Sequence, residues 1–195
     1  MNSRDQILAK LKTNKPKLID LPLIETSIFR DEGLDIIKEF IKKVEVVGGN
    51  VLEVTSNQDV INKIESTFTN QEVCYSHIKG TQGFNTISLE TIQNPHDLEN
   101  LDVLILESTL GVAENGSVWL SDQEIPVRVL PFITKHLAVV ISKKDLVEYM
   151  HEAYSRLSGF NYGVFLAGPS KTADIEQSLV IGAQGALSIT IFLKQ

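Results

Sequence analysis

The stretch Tyr162–Ile181, YGVFLAGPSKTADIEQSLVI, decides how the fold is read. Its opening residues, Tyr162 to Ala167, form an apolar run of strand length. Gly168 and Pro169 end that run, one by tolerating unusual backbone angles and the other by fixing φ. Ser170 or Thr172 suits an N-cap, Asp174 and Glu176 fall in a first turn, and Ile175 and Leu179 are spaced as a buried stripe. The spacing predicts a strand, a loop and a helix over Thr172 to Ile181, with Gly182 as its stop. Such a corner presents unpaired backbone N–H groups.

Working outward, the same alternation recurs. Asp31 to Val47 carries Ile36, Ile37, Phe40, Ile41, Val44 and Val47 at helical spacing and stops at Gly48-Gly49. Asn50 to Thr55 reads as a strand, and Ser56 with Asp59 opens a second helix with Val60, Ile61, Ile64 and Phe68 on one face. Val73 to Ser76 is a short strand, and Lys79 to Asn100 is polar, loop-like and allows one short strand near Thr86 to Ser88. Asp102 to Leu106 and Leu137 to Ile141 are almost wholly apolar, as expected of strands covered on both faces. Asn115-Gly116 between Val112-Ala113 and Val118 to Leu120 is a hairpin signal. Lys144 to Leu157 reads as a helix and Leu187 to Leu193 as a closing strand. Strands interleaved with helices predict an α/β three-layer sandwich with a central, mostly parallel sheet. Ligands in such folds bind beyond the carboxyl ends of the strands, where the 162–167 strand would deliver the Gly168 to Glu176 segment. Near the start, Ser3 can cap a helix carrying Ile7, Leu8 and Leu11, and residues 13–22 read as a linker containing Pro16 and Pro22. The domain division expected is a helix and linker over 1–25 and a main body over 26–195.

The 195 residues suffice for one ordinary domain. The single cysteine, Cys74, precludes an internal disulfide and a cysteine-rich metal or iron–sulfur site, and reads as a buried strand residue. Net charge is −7, with residues 1–20 basic and the remainder acidic. An acidic body argues against non-specific nucleic-acid binding. The sequence has no apolar run of bilayer length and no leader-like start, so a cytoplasmic protein without a membrane partner is expected.

The constellations that carry chemistry are few. Gly168, Ser170, Lys171 and Thr172 suit a phosphate or carboxylate, although the Walker spacing is missing. Asp174 and Glu176 oppose the simplest anion site, because carboxylates there already satisfy a positive helix end. Glu114, on the Ala113 to Ser117 turn with Asn115 and Gly116, can act as nucleophile, base or ligand anchor, or be a solvated hairpin tip. His136 precedes a buried strand and reads either as a proton carrier or as a loop-orienting group. His77, His96 and His151 have no metal-ligand spacing, and no metal site is expected. Trp119 reads as core. Tyr154, Phe160 and Tyr162 are either core or pocket wall.

The run Gly168 to Gly185, GPSKTADIEQSLVIGAQG, resembles the signature of the lactate utilization protein C family, the LUD-domain proteins. That signature is Gly-Pro-Ser-Arg/Lys-Thr-Ala-Asp-Ile-Glu, a helix and a Gly-x-His-Gly-Pro turn. The helix ending at Gly48-Gly49, the Asp102 to Leu120 strand and hairpin, and Leu130-Pro131 followed by His136 to Val140 are similar in order to the family's segments. The resemblance covers 26–195. It implies a fold related to the sugar-phosphate isomerase and coenzyme A transferase group. It also implies a place in a three-part system oxidising L-lactate to pyruvate, as the cluster-free component beside two iron–sulfur proteins, with no cofactor of its own identified. Under it, Ser170, Lys171, Thr172 and Asp174 would line a site for a small anionic metabolite facing Glu114, with Glu176, Gly168, Asn115 and Gly116 nearby, and a homo-oligomer is allowed. Two departures stand out. Asn115 replaces the family's usual Thr, giving the Glu-Asn-Gly string of class I coenzyme A transferases. Gln184-Gly185-Ala186 replaces His-Gly-Pro, and Gln can hydrogen-bond but not titrate. The alternatives are a stand-alone acyl or coenzyme A transferase-like enzyme using Glu114, and a metabolite-binding module without turnover.

Overall fold

A sheet of five parallel strands organises the main body in a computed structural model of the chain. The structure describes residues 2–195 apart from 21, 23, 24, 26, 27, 29–32 and 174–176. The chain divides into two units, Met1–Glu32 and Gly33–Gln195. The first contains α1 (Ser3–Thr13), capped by Asn2, whose side chain accepts from Asp5 N–H, and not by Ser3.

The second unit opens with α2 (Ile36–Val46). Asp35 caps it by accepting from Lys38 N–H, and Phe40 and Val44 are its buried face. Gly48, with φ of +86°, ends it in a Schellman turn in which Gly48 N–H donates to Glu45 and Gly49 N–H to Val44. Strand β1 (Asn50–Val54) follows, then α3 (Asn57–Thr67), whose cap is Ser56 accepting from Asp59 N–H. The parallel sheet is completed by β2 (Cys74–Ser76), β3 (Val103–Ser108), β6 (His136–Ser142) and β11 (Ser188–Lys194). Its order is β1-β11-β6-β3-β2.

Period-two alternation in these strands feeds two cores. Leu104, Leu106, Leu137, Val139, Ile189 and Ile191 pack on the side of Phe40 and Val44 of α2. Val103, Ile105, Ala138, Val140 and Phe192 pack on the other side with Val60, Ile61 and Ile64 of α3. The mostly parallel sheet with helices on both faces is thus present.

Several elements differ from the sequence reading. A second sheet, ordered β7-β4-β5-β8, is built from β4 (Gly111–Val112), β5 (Ser117–Ser121), β7 (Leu146–Val147) and β8 (Gly163–Leu166). β8 therefore pairs antiparallel with β5 and is no member of the parallel sheet. The helix expected over Lys144 to Leu157 is split: β7 pairs with β4, and only α5 (Met150–Arg156) is helical beyond it. Between β5 and β6 lies α4 (Leu130–Ile133). Among the described residues of 79–100 there are short 3-10 turns and no strand. On the outer face of the second sheet Trp119 is buried, with Phe165 and Phe160 against its ring, which makes Phe160 a packing residue.

Candidate functional site

The chain leaves β8 through Gly168, whose φ is +72°. A Cβ there would lie 2.4 Å from the Val47 carbonyl oxygen, so only glycine lets the backbone press onto the end of α2. Beyond it the chain stays extended. Ser170 N–H donates to the Ala186 carbonyl, and the Ser170 carbonyl accepts from Gly182 N–H, both at 3.0 Å. Strand β9 (Lys171–Thr172) then pairs antiparallel with β10 (Val180–Ile181). The helix expected over Thr172 to Ile181 is replaced, among the described residues, by this two-stranded flap. Asp174 and Glu176 lie outside the described residues. With no helix start at Thr172, the argument that a helix N-terminus holds an anion here falls away.

The flap closes a cleft of about 290 Å³. Its floor is Leu137 and Ile189, register partners near the amino ends of β6 and β11, with Pro131 and Phe132 of α4 beside them. Its polar rim is Ser170, Lys171 and Gln184. Gly185 packs over Ser170, since a Cβ on it would lie 3.1 Å from the Ser170 Cβ. Two segments that stood apart in sequence, Gly168 to Lys171 and Gln184 to Ala186, are therefore one structural unit. The cleft sits at the amino ends of parallel strands and not at their carboxyl ends, because β8 belongs to the second sheet.

Glu114 is not in this cleft's lining. The turn that carries it is held from behind. Gly116 has φ of +70°, and a Cβ there would lie 2.6 Å from Val44 N in α2. Asn115 Oδ1 accepts from Ser117 N–H at 3.0 Å. The exposed Glu114 carboxylate accepts from Met150 N–H at 2.9 Å, and Glu114 N–H donates to the Glu148 carbonyl. The side chain thereby ties the hairpin to the start of α5. Thr172, half-buried, lies on the flap strand β9.

His136 begins β6, and a 2.8 Å hydrogen bond joins its Nδ1 to Ser188 Oγ on β11. Its ring stacks on Phe68, with centroids 4.3 Å apart. Burial lowers the His136 pKa below the usual imidazole value; Asp102 opposes that shift and Lys135 adds to it. Asp102 meets Lys135 at 2.6 Å and accepts from Glu72 and Val73 N–H. Burial pushes the Asp102 carboxyl up, but the Lys135 ammonium and the two N–H donors outweigh it and hold the group down at about 2. Sequence reasoning gives Phe68 to a helix face and Asp102 to a strand start, and assigns no site role to either or to Lys135 and Ser188. The signal was available: Asp102 and Lys135-His136 each stand at the start of an apolar strand, and parallel neighbours place such starts side by side. Cys74 is buried in β2, and burial raises its thiol to about 11, with Asp102 and Glu65 adding to the shift. No group of three or more His, Cys, Asp or Glu suited to a metal occurs among the described residues. No helix among them is long and apolar enough to cross a membrane.

Such a molecule, a parallel sheet between helix layers with a flap-covered cleft at the amino ends of β6 and β11, is an α/β sandwich protein. Its family can be stated: residues 37–193 match the LUD domain model, and the chain belongs to that family. It is similar to Lactate utilization protein C of Oceanobacillus iheyensis, 30% identical over 47% of this chain and 43% of that protein. A second Lactate utilization protein C, from Geobacillus sp. (strain WCH70), is 26% identical over 96% of this chain and 78% of its own length. The matched part thus spans less than half of the Oceanobacillus protein. A crystal structure of a DUF162 family protein from Deinococcus radiodurans shares the fold, with a TM-score of 0.63 at 14% identity over 89% of this chain and all of that one.

Proposed function

We propose that this chain is the cluster-free component of a lactate-utilization system, working in the cytoplasm beside two iron–sulfur proteins that take electrons from L-lactate. The observation that carries this reading is that both signature segments, Gly168 to Thr172 and Gln184 to Ala186, close one cleft through the Ser170–Ala186 hydrogen bond. In that cleft the Ser170 hydroxyl, the Gln184 amide and the Lys171 ammonium receive a small carboxylate, while Leu137 and Ile189 take its apolar end. Gln184 holds a ligand without exchanging protons with it. The role that suits this lining is binding and presentation of the anion, with redox chemistry residing in the partners. Glu114 serves in this reading as the hairpin–α5 tie and not as an acyl acceptor, since its carboxylate is engaged by Met150 N–H.

The test is co-purification of the tagged chain from its own cells, followed by a lactate oxidation assay on the isolated chain and on the assembly. Two cysteine-rich partners, with activity only in the assembly, support the reading. Robust lactate oxidation by the isolated chain sinks it.

A further inference from the structure

Helix α1 buries none of its residues. Ile7, Leu8 and Leu11 are 56, 42 and 61% exposed. With Arg4 they fall at i, i+3, i+4 and i+7, so one helix face carries a cation in line with three apolar side chains. A helix shorter than about 12–15 residues is marginal in water by itself, and anchors at this spacing are how a helix enters a groove. The Arg4 guanidinium has no partner among the described residues. On the main body, a recess of about 370 Å³ lies at the edge of the parallel sheet, against β1 and the C-terminal end of α3. Leu52, 36% exposed, and the half-buried Phe68 give it accessible apolar surface. The exposed Glu45 also stands in its lining, and its carboxylate is paired with no described residue. Residues 1–20 hold five Lys/Arg against two Asp/Glu in a chain of net charge −7, so the rest of the chain is acidic.

We propose that α1 of one copy docks in this recess of a second copy, and that the two copies exchange these arms reciprocally. Leu8 and Leu11 enter against Leu52 and Phe68, and Arg4 meets Glu45. Three properties select a second copy. The helix face is apolar with a free cation and the recess is apolar with a free carboxylate, so both kinds of contact are matched. One chain carries both halves, so a reciprocal exchange occupies both recesses and closes on a two-fold axis. Residues 14–32 join the arm to the body and span about 60 Å when extended, enough to cross to a neighbouring copy. A lipid surface, by contrast, would take α1 and leave the recess uncovered. The recess shares no lining residue with the flap-covered cleft, so the exchange does not rest on what that cleft binds.

The experiment uses the full chain in sedimentation velocity at rising concentration. A monomer–dimer equilibrium is expected. Leu8→Ser combined with Leu11→Ser, both at exposed positions, should weaken association at least tenfold, or about 1.4 kcal/mol. Arg4→Glu and Glu45→Arg should each weaken it about fivefold. Mixing these two variants should restore it, because every arm in the mixed dimer meets the opposite charge, whereas like charges meet in each variant alone. That comparison separates exchange between copies from docking of an arm on its own body. A chain that stays monomeric at every concentration overturns the proposal, and pelleting of that monomer with phosphatidylserine vesicles would assign α1 to a membrane instead. A dimer indifferent to the α1 substitutions also overturns it, as does a mixture no tighter than the two variants alone.

Discussion

The ammonium of Lys171 donates to the carbonyl of Val47, 124 positions earlier in the chain, and so pins the flap to the C-terminal end of α2. Because Val47 is the cap residue of α2, its carbonyl has no partner within the helix. Lys171→Met keeps the stem and removes the donor. The expected loss is about 1 kcal/mol of global stability. The sharper effect is local: amide exchange across residues 168–172 should speed up while the β3 and β6 amides stay protected. Unchanged exchange in the flap would show that the tie contributes nothing.

Gln184→His restores the residue type of the resembling signature and places a titratable ring on the cleft rim. Under the proposed function, lactate binding to the unaltered chain, followed by NMR, should be nearly flat across the imidazole range. In the variant it should tighten as pH falls through about 6.5, where the ring gains its charge. An equally flat profile in the variant would mean that position 184 does not face the bound anion.

Asp102 gives the fold an acid-side dependence. Its folded-state pKa is held at about 2, below the ordinary 3.8. The folded protein therefore binds this proton less readily than the unfolded chain. The stabilisation is complete above about pH 4 and is lost as pH falls toward about 2. Lys135 is 50% exposed, so solvent screens the pair, and Asp102→Asn should cost about 1 kcal/mol at neutral pH. Denaturant titrations of both chains should converge as pH approaches the lower value. A constant difference between them would contradict this account.

Cys74 should resist alkylation in the native protein. Its thiol is 2% exposed and raised to about 11, so the reactive thiolate is scarce and shielded. Iodoacetamide should label it only on unfolding, which mass spectrometry reads directly. Fast labelling under native conditions would place β2 in an opening edge.

Much of the frame was legible because its cause is local. The apolar runs at Leu104 and Val139 demand burial on both faces, and the sheet supplies it. Ser56 with Asp59, and Gly48-Gly49, mark helix ends by hydrogen bonds that reach only a few residues. The flap was not legible for the opposite reason. Thr172 to Ile181 has a capping residue and a helical stripe, yet Ser170 is held extended by Ala186 and Gly182, partners supplied by tertiary structure. Leu179, expected inside, is 65% exposed. Likewise Leu146 and Val147 fit a helix by propensity and become a strand because β4 needs an edge partner. At the candidate site, Ser170 and Lys171 were visible by residue type, whereas the assignment of β8 to the second sheet, which fixes where they open, depends on long-range pairing.

The strand order has a consequence for how the protein is made. β11, the last strand in chain order, lies between β1, the first, and β6. During synthesis β1 has no sheet neighbour until residues 188–194 have left the ribosome, so its backbone edge stays unpaired until then. Closure of the sheet therefore waits on a pairing as distant in sequence as Asn50 with Thr190, a topology that folds slowly. A nascent chain stalled before Ser188 should remain protease-sensitive along its length and should attract chaperones that shield unpaired strands.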